Sequence, residues 1–173
     1  MAILVCYYKE EISVDRALNA LVAIFNIPKN QINEVNNFDE SAVINFKITQ
    51  LSDSCIFNFQ LEVFLLKETI LSSEIYNNLL LVIELKKIIG LDFLINDESD
   101  NPYSWLLLKD HRLFLVEQDD DFDEGIDINP NNQMELDIKK VLNILPQKKD
   151  ILDNSFEIPY FVKDSNSWIK CSI

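Results

Sequence analysis

Two stretches of this chain alternate apolar and polar residues with a period of two. In the first, Ala42, Ile44, Phe46 and Ile48 are interleaved with Val43, Asn45, Lys47 and Thr49. In the second, Cys55, Phe57, Phe59, Leu61 and Val63 are interleaved with Ile56, Asn58, Gln60 and Glu62. Successive side chains of a strand point to opposite faces, so each run predicts a strand with one buried side. Ser52-Asp53-Ser54 between them predicts the turn of an antiparallel hairpin. Residues 103–108 and 113–118 predict a second hairpin, turning at Lys109-Asp110-His111-Arg112.

The helical period appears elsewhere. Ser13 is placed to cap a helix running to about Phe25, with Leu18, Leu21, Val22 and Phe25 on its core face and Pro28 beyond its end. Ser72 or Ser73 opens a longer helix through Ile89. Its centre, Leu79-Leu80-Leu81-Val82-Ile83, is apolar nearly all round and therefore central. Lys86 and Lys87 suit the negative end of its dipole, and Gly90 supplies the stop. A third helix is expected over residues 134–145, ended by Pro146, with Leu136, Val141, Leu142 and Leu145 as an approximate stripe. Residues 2–8 and 91–95 read as strands, and residues 156–162 and 168–171 as one or two edge strands. Residues 30–39, 96–102 and 129–132 read as loops or turns. The order β-α-ββ-α-βββ-α-β implies an α+β fold, one layered domain with a largely antiparallel sheet and about three helices. That domain spans residues 1–173, of which 147–173 can form a peripheral C-terminal extension.

With 173 residues, nearly half of them apolar, the chain can bury a core without disulfides or metal. Only Gly90 and Gly125 are glycines, and neither GxxxxGK[ST] nor GxGxxG occurs, which excludes nucleotide binding through those loops. Cys6, Cys55 and Cys171 are three, widely spaced and without a CxxC pair, as expected of free thiols in a reducing cytoplasm. The N-terminus lacks the basic region of a signal peptide, and no apolar stretch approaches the roughly 20 residues that span a bilayer. A cytoplasmic protein is the expectation.

Charge changes the picture most. The formal net charge is −14, so the surface repels nucleic acid and anionic membranes, and neither is expected as a partner. The acid is also concentrated. Residues 117–127 read Glu-Gln-Asp-Asp-Asp-Phe-Asp-Glu-Gly-Ile-Asp, seven carboxylates in eleven residues with no Lys or Arg. Solvation, a metal or a basic partner are the three uses of such a run. An EF-hand fails on spacing. With Asp119, Asp121 and Asp123 at positions 1, 3 and 5, Glu124 falls where the turn glycine belongs and Pro130 where the bidentate Glu belongs. An irregular Ca²⁺ or Mg²⁺ site stays open on sequence grounds.

Catalytic chemistry finds no constellation. His111 is the only histidine and is expected in a solvated turn; the cysteines lack zinc spacing, and no GxSxG elbow places a nucleophile. No catalytic residue, cofactor or metal ligand is assigned, and the protein is read as no enzyme. Aromatic residues on strand-like segments (Tyr7, Tyr8, Phe57, Phe59, Tyr103, Trp105) are expected in the core, whereas Tyr160 and Trp168, in a polar tail, are candidate contact residues.

The segment from Leu94 to Leu108, LINDESDNPYSWLLL, joins an aliphatic strand, an acidic Asn-Pro turn and an aromatic-rich strand, and an acidic hairpin exit follows. Across residues 70–128 this resembles the small bacterial immunity proteins encoded beside polymorphic or contact-dependent toxins. The resemblance implies a cytoplasmic inhibitor that binds a cognate toxin domain, often a basic nuclease, and occludes its active site. That class shares no catalytic motif. The expected toxin-binding residues come from the acidic run: Glu117, Asp119, Asp120, Asp121, Phe122, Asp123, Glu124 and Asp127, with Phe122 as an apolar anchor. Two alternatives remain beside it: an acidic decoy of nucleic acid acting on a host DNA- or RNA-binding protein, and a divalent-metal-dependent hydrolase. Exposed sheet edges offer another docking mode, and the edge of the hairpin at residues 42–63 is the candidate for it.

Overall fold

The computed structural model describes residues 2–35, 41–97, 101–119, 126–143, 160–161 and 168–169. Its centre is an eight-stranded sheet in the order β2-β3-β4-β1-β5-β6-β7-β8. The strands are β1 (Ala2–Tyr8), β2 (Ile32–Glu34), β3 (Ile44–Gln50), β4 (Phe59–Leu65), β5 (Phe93–Asn96), β6 (Ser104–Lys109), β7 (Arg112–Gln118) and β8 (Ile128–Leu136). All neighbours pair antiparallel except β2 with β3. Helices α1 (Val14–Phe25) and α3 (Asn78–Ile89) cover one face, with the shorter α2 (Lys67–Ser72) and α4 (Ile138–Asn143) beside them. This is the expected α+β architecture, a largely antiparallel sheet in one domain, with four helices in the described residues where about three were expected.

The core follows the alternation. Ile44, Phe46, Leu61, Val63 and Leu65 are buried on the helix side, facing Ala17, Ala20 and Leu21 of α1 and Leu79, Val82 and Leu85 of α3. Ser13 caps α1 as expected: its hydroxyl accepts from the Arg16 N–H at 3.3 Å, and Asn26 closes the helix in the left-handed region. Lys86, 7 % exposed, donates to Asp92 at 2.6 Å, and Gly90, at φ 83°, ends α3 as expected. That region is one that glycine enters without steric cost.

Several expectations need correction. The helix expected from Ser72 or Ser73 begins only at Asn78, because Asn77 rather than either serine caps α3, accepting from the Leu80 N–H at 2.9 Å; a separate short helix, α2, was not expected and ends at Ser72. Ser73 instead accepts from the Ile75 N–H, which holds a turn between them. Residues 30–34 are no loop; a short 3₁₀ turn (Lys29–Gln31) leads into β2, which lies against β3. Residues 134–136 are strand, because β7 offers Met134 and Leu136 pairing partners in Leu115 and Leu113; α4 therefore begins only at Ile138. The second strand of the first hairpin starts at Phe59 rather than Cys55, and residues 51–58 leave the sheet plane as a strap.

Both hairpins otherwise hold. Asp110 and His111 form a two-residue turn between paired Lys109 and Arg112. Residues 160–161 and 168–169 pair as a separate ribbon, β9 with β10, rather than as edges of the main sheet. The hairpin edge suggested as a docking site is covered in part: β4 lies between β3 and β1, and β2 pairs with β3 along Ile44–Phe46. Among the described residues no helix is long and apolar enough to cross a membrane.

Candidate functional site

The side of the sheet away from the helices carries a second, smaller core. On β5, β6 and β7 the alternate positions Leu94, Trp105, Leu107 and Val116 point there and are buried with Phe57, Ile126 and Ile128. Phe57 comes from the strap and has no exposed surface. Burying a ring of that size is worth about 3 kcal/mol, which is enough to hold a short loop on a sheet. The Lys9 ammonium lies 4.9 Å from the Phe57 ring centre and adds a cation–π contact. Tyr7 meets Trp105 edge to face at 5.5 Å and closes the other side.

The acidic run leaves and re-enters the fold at this cluster. Three of its eight candidate residues are described. Glu117 ends up exposed near the close of β7, where one carboxylate oxygen accepts from the Asn132 amide at 2.7 Å. Asp119 is exposed, and its N–H donates to the Asp127 carbonyl at 2.9 Å, tying the two ends of the run together. Asp127 is half-buried, and its carboxylate accepts from the Ile56 N–H of the strap. Asp120, Asp121, Phe122, Asp123 and Glu124 lie outside the described residues.

Further bonds fix this root to the sheet. Phe57 donates its N–H to the Ile126 carbonyl at 3.1 Å, and Gln118 donates to the Tyr103 carbonyl at 2.8 Å. The Trp105 indole N–H reaches the Gln118 side chain at 3.1 Å. β8 accommodates the junction by a register shift: Val116 faces Gln133 while Gln118 faces Ile128, so residues 129–132 bulge outward. The expected turn there is this bulge within a strand. The carboxylates of Glu117 and Asp119 therefore stand on a frame held by strand pairing and a small apolar core.

Two residues beside this root escaped the sequence reading. Ile56 is 45 % exposed, because Phe57 takes the inward place on the strap. Tyr103, expected in the core, is 51 % exposed just before β6, whereas its neighbour at the same parity, Trp105, is buried. The alternation through residues 55–63 sets Ile56 on the polar side without marking it as a contact residue, and residues 103–108 give no signal that Tyr103 is exposed. Of the other aromatics placed in the core, Tyr8 and Phe57 are fully buried, and Tyr7 and Phe59 partly so.

Groups that perform chemistry are otherwise quiet. Cys6 and Cys55 are buried free thiols, and burial pushes the Cys6 thiol far up, which keeps it protonated and unreactive. Burial also raises the Tyr7 hydroxyl, helped by the nearby Glu62 and Cys6 and opposed by a hydrogen bond from Gln60. His111 is exposed at its hairpin tip, as expected. Among the described residues no group of three or more His, Cys, Asp or Glu side chains is placed to hold a metal ion. A shallow cavity of about 300 Å³ lies on the helix side, lined by Phe25, Ile27, Val43, Glu68, Thr69, Ser72 and Ser73, away from the acidic root. Tyr160 and Trp168 belong to the β9–β10 ribbon. Comparison with protein-family models, with curated proteins and with solved structures finds no match to this chain.

Proposed function

We propose that this protein is an inhibitor of the immunity type, which binds a basic toxin domain through the acidic run and keeps substrate from its cleft. One observation carries the reading: Glu117 and Asp119 project from a root that strand pairing, the strap and the Phe57–Trp105 core hold in place. A binding surface gains from such a frame, because groups already ordered lose little freedom on association. A nuclease cleft gathers Lys and Arg around phosphates, and seven carboxylates without a cation among them oppose that field. Attraction of this kind acts mainly on the rate of encounter.

The test starts from affinity capture of the tagged protein from its native lysate at low salt, followed by elution in a salt gradient. A single basic protein that loses nuclease activity when the inhibitor is added back supports the reading. The variant Asp119→Asn, Asp120→Asn, Asp121→Asn then associates about tenfold more slowly at low salt and with a flatter salt dependence. An unchanged association rate would move the docking surface elsewhere on the molecule. Retention of no basic protein at all would remove the proposal.

A further inference from the structure

The acidic run accounts for attraction but not for the lifetime of a complex, which rests on a few apolar anchors in desolvated pockets. Ile56 and Tyr103 have the exposure and the placement for that part. Both stand on the side of the sheet away from the helices: Phe57 turns inward from the strap, so Ile56 turns outward, and Tyr103 shares the parity of Trp105 and Leu107. Both are tied to the acidic run through their backbones, Ile56 by its N–H to the Asp127 carboxylate and Tyr103 by its carbonyl to the Gln118 N–H. From the strap across Ile126–Ile128 and β7 to Tyr103 is three strand spacings, roughly 15 Å. That span fits within one side of an ordinary protein interface.

We infer that Ile56 and Tyr103 are the apolar anchors of the docking surface, flanking the root of the acidic run at Asp119 and Asp127. The inference rests on the inhibitor reading and narrows its partner. The partner is a basic protein whose cationic rim encloses apolar pockets, rather than one that presents charge alone. Charge complementarity selects it: the carboxylates at the root of the run repel an acidic face, are costly to desolvate against a purely apolar one, and leave a cationic one as the occupant. Ile3, Leu66, Ile88, Val14 and Met134 are also exposed apolar residues, but among the described residues none has a hydrogen bond to the acidic run.

Two synthetic peptides of equal length and equal positive charge test this, one oligolysine spaced by serine and one spaced by leucine. Calorimetry or anisotropy should show the leucine peptide binding about tenfold more tightly to the full chain at moderate salt. The double variant Ile56→Ser, Tyr103→Ser should lose that advantage and still bind the serine peptide as before. Ile88→Ser, on the helical side, should keep it; unchanged melting temperatures show that both variants are folded. Equal binding of the two peptides, or a gain that survives in the double variant, overturns the anchor assignment alone. Failure of either peptide to bind in a salt-dependent way overturns the acidic docking surface as well.

Discussion

At Asp110 and His111 the chain takes positive φ twice in succession, 49° and 59°. A two-residue hairpin needs this, since its turn must match the right-handed twist of β6 and β7, and Asn-Gly is the pair that adopts it most readily. A side chain in the left-handed region costs about 1 kcal/mol, which glycine avoids. His111→Gly should therefore raise unfolding free energy by about 1 kcal/mol in urea titration; a loss would mean that the imidazole makes a contact worth more than the strain. Tyr8 is a second informative position. Its ring stacks on Phe59 at 5.6 Å and meets Phe93 at 6.0 Å, while its buried hydroxyl finds no hydrogen-bond partner among the described residues. Tyr8→Phe should leave stability unchanged or raise it by up to about 1 kcal/mol, since an unsatisfied buried hydroxyl is a cost. Burial, and then Cys6 and Glu11, push the Tyr8 hydroxyl above its ordinary value. The unfolded chain thus loses this proton near pH 10 while the folded chain keeps it, and stability falls as pH rises through that range. In Tyr8→Phe the alkaline fall should be shallower by as much as about 1.4 kcal/mol per pH unit. An unaltered alkaline limb would assign the loss to Tyr7 and Cys6.

At the scale of elements, the sequence was most legible where one local signal sufficed. Ser13, Gly90 and the alternation from Ala42 to Ile48 and from Phe59 to Val63 each acted as read. It was least legible where a distant partner decided. Cys55 and Phe57 do bury as the alternation demands, but Phe57 does so against Ile126 and Trp105 rather than beside β3. Leu136 fits the approximate stripe of the expected helix until the edge of β7 captures it together with Met134. The acidic run was plain in the sequence; its root, with Ile56 and Tyr103, was not, because it is assembled by pairing across 71 positions of chain between Ile56 and Asp127. That pairing gives the strap its own prediction. Asp127→Ala removes the acceptor of the Ile56 N–H and should cost about 1.5 kcal/mol, the net worth of a hydrogen bond to a charged group at a half-buried site. Asp127→Asn keeps an acceptor and should cost less than half as much. Limited proteolysis should cut Asp127→Ala within residues 51–58 before any other site, and an intact strap in that variant would show that Phe57 holds it unaided.

For the molecule as a whole, acids exceed bases by 14, and the described ion pairs do little to offset this. Asp15 with Lys29, Glu84 with Lys87 and Arg112 with Glu135 are substantially exposed pairs, each worth well under 1 kcal/mol. Lys86 with Asp92 is the better shielded, and it serves the end of α3 rather than the acidic surface. Repulsion among unpaired carboxylates is therefore the larger electrostatic effect on folding, and it is long-ranged at low ionic strength. The screening length shrinks from about 30 Å at 0.01 M to about 3 Å at 1 M salt, so added salt removes repulsion faster than it weakens close pairs. Melting temperature should rise by several degrees between 0.01 and 0.5 M NaCl, corresponding to roughly 1–2 kcal/mol for a chain of this size. The same salt should weaken binding to a basic partner, so stability and affinity should move in opposite directions across one titration. On the inhibitor reading, packing the charges close together entails a fold that tolerates their repulsion, and the Phe57–Trp105 core at the root of the acidic run supports that tolerance. Neutralising Asp119, Asp120 and Asp121 should then raise the low-salt melting temperature while it slows association; a fall in melting temperature would mean that those carboxylates stabilise the fold.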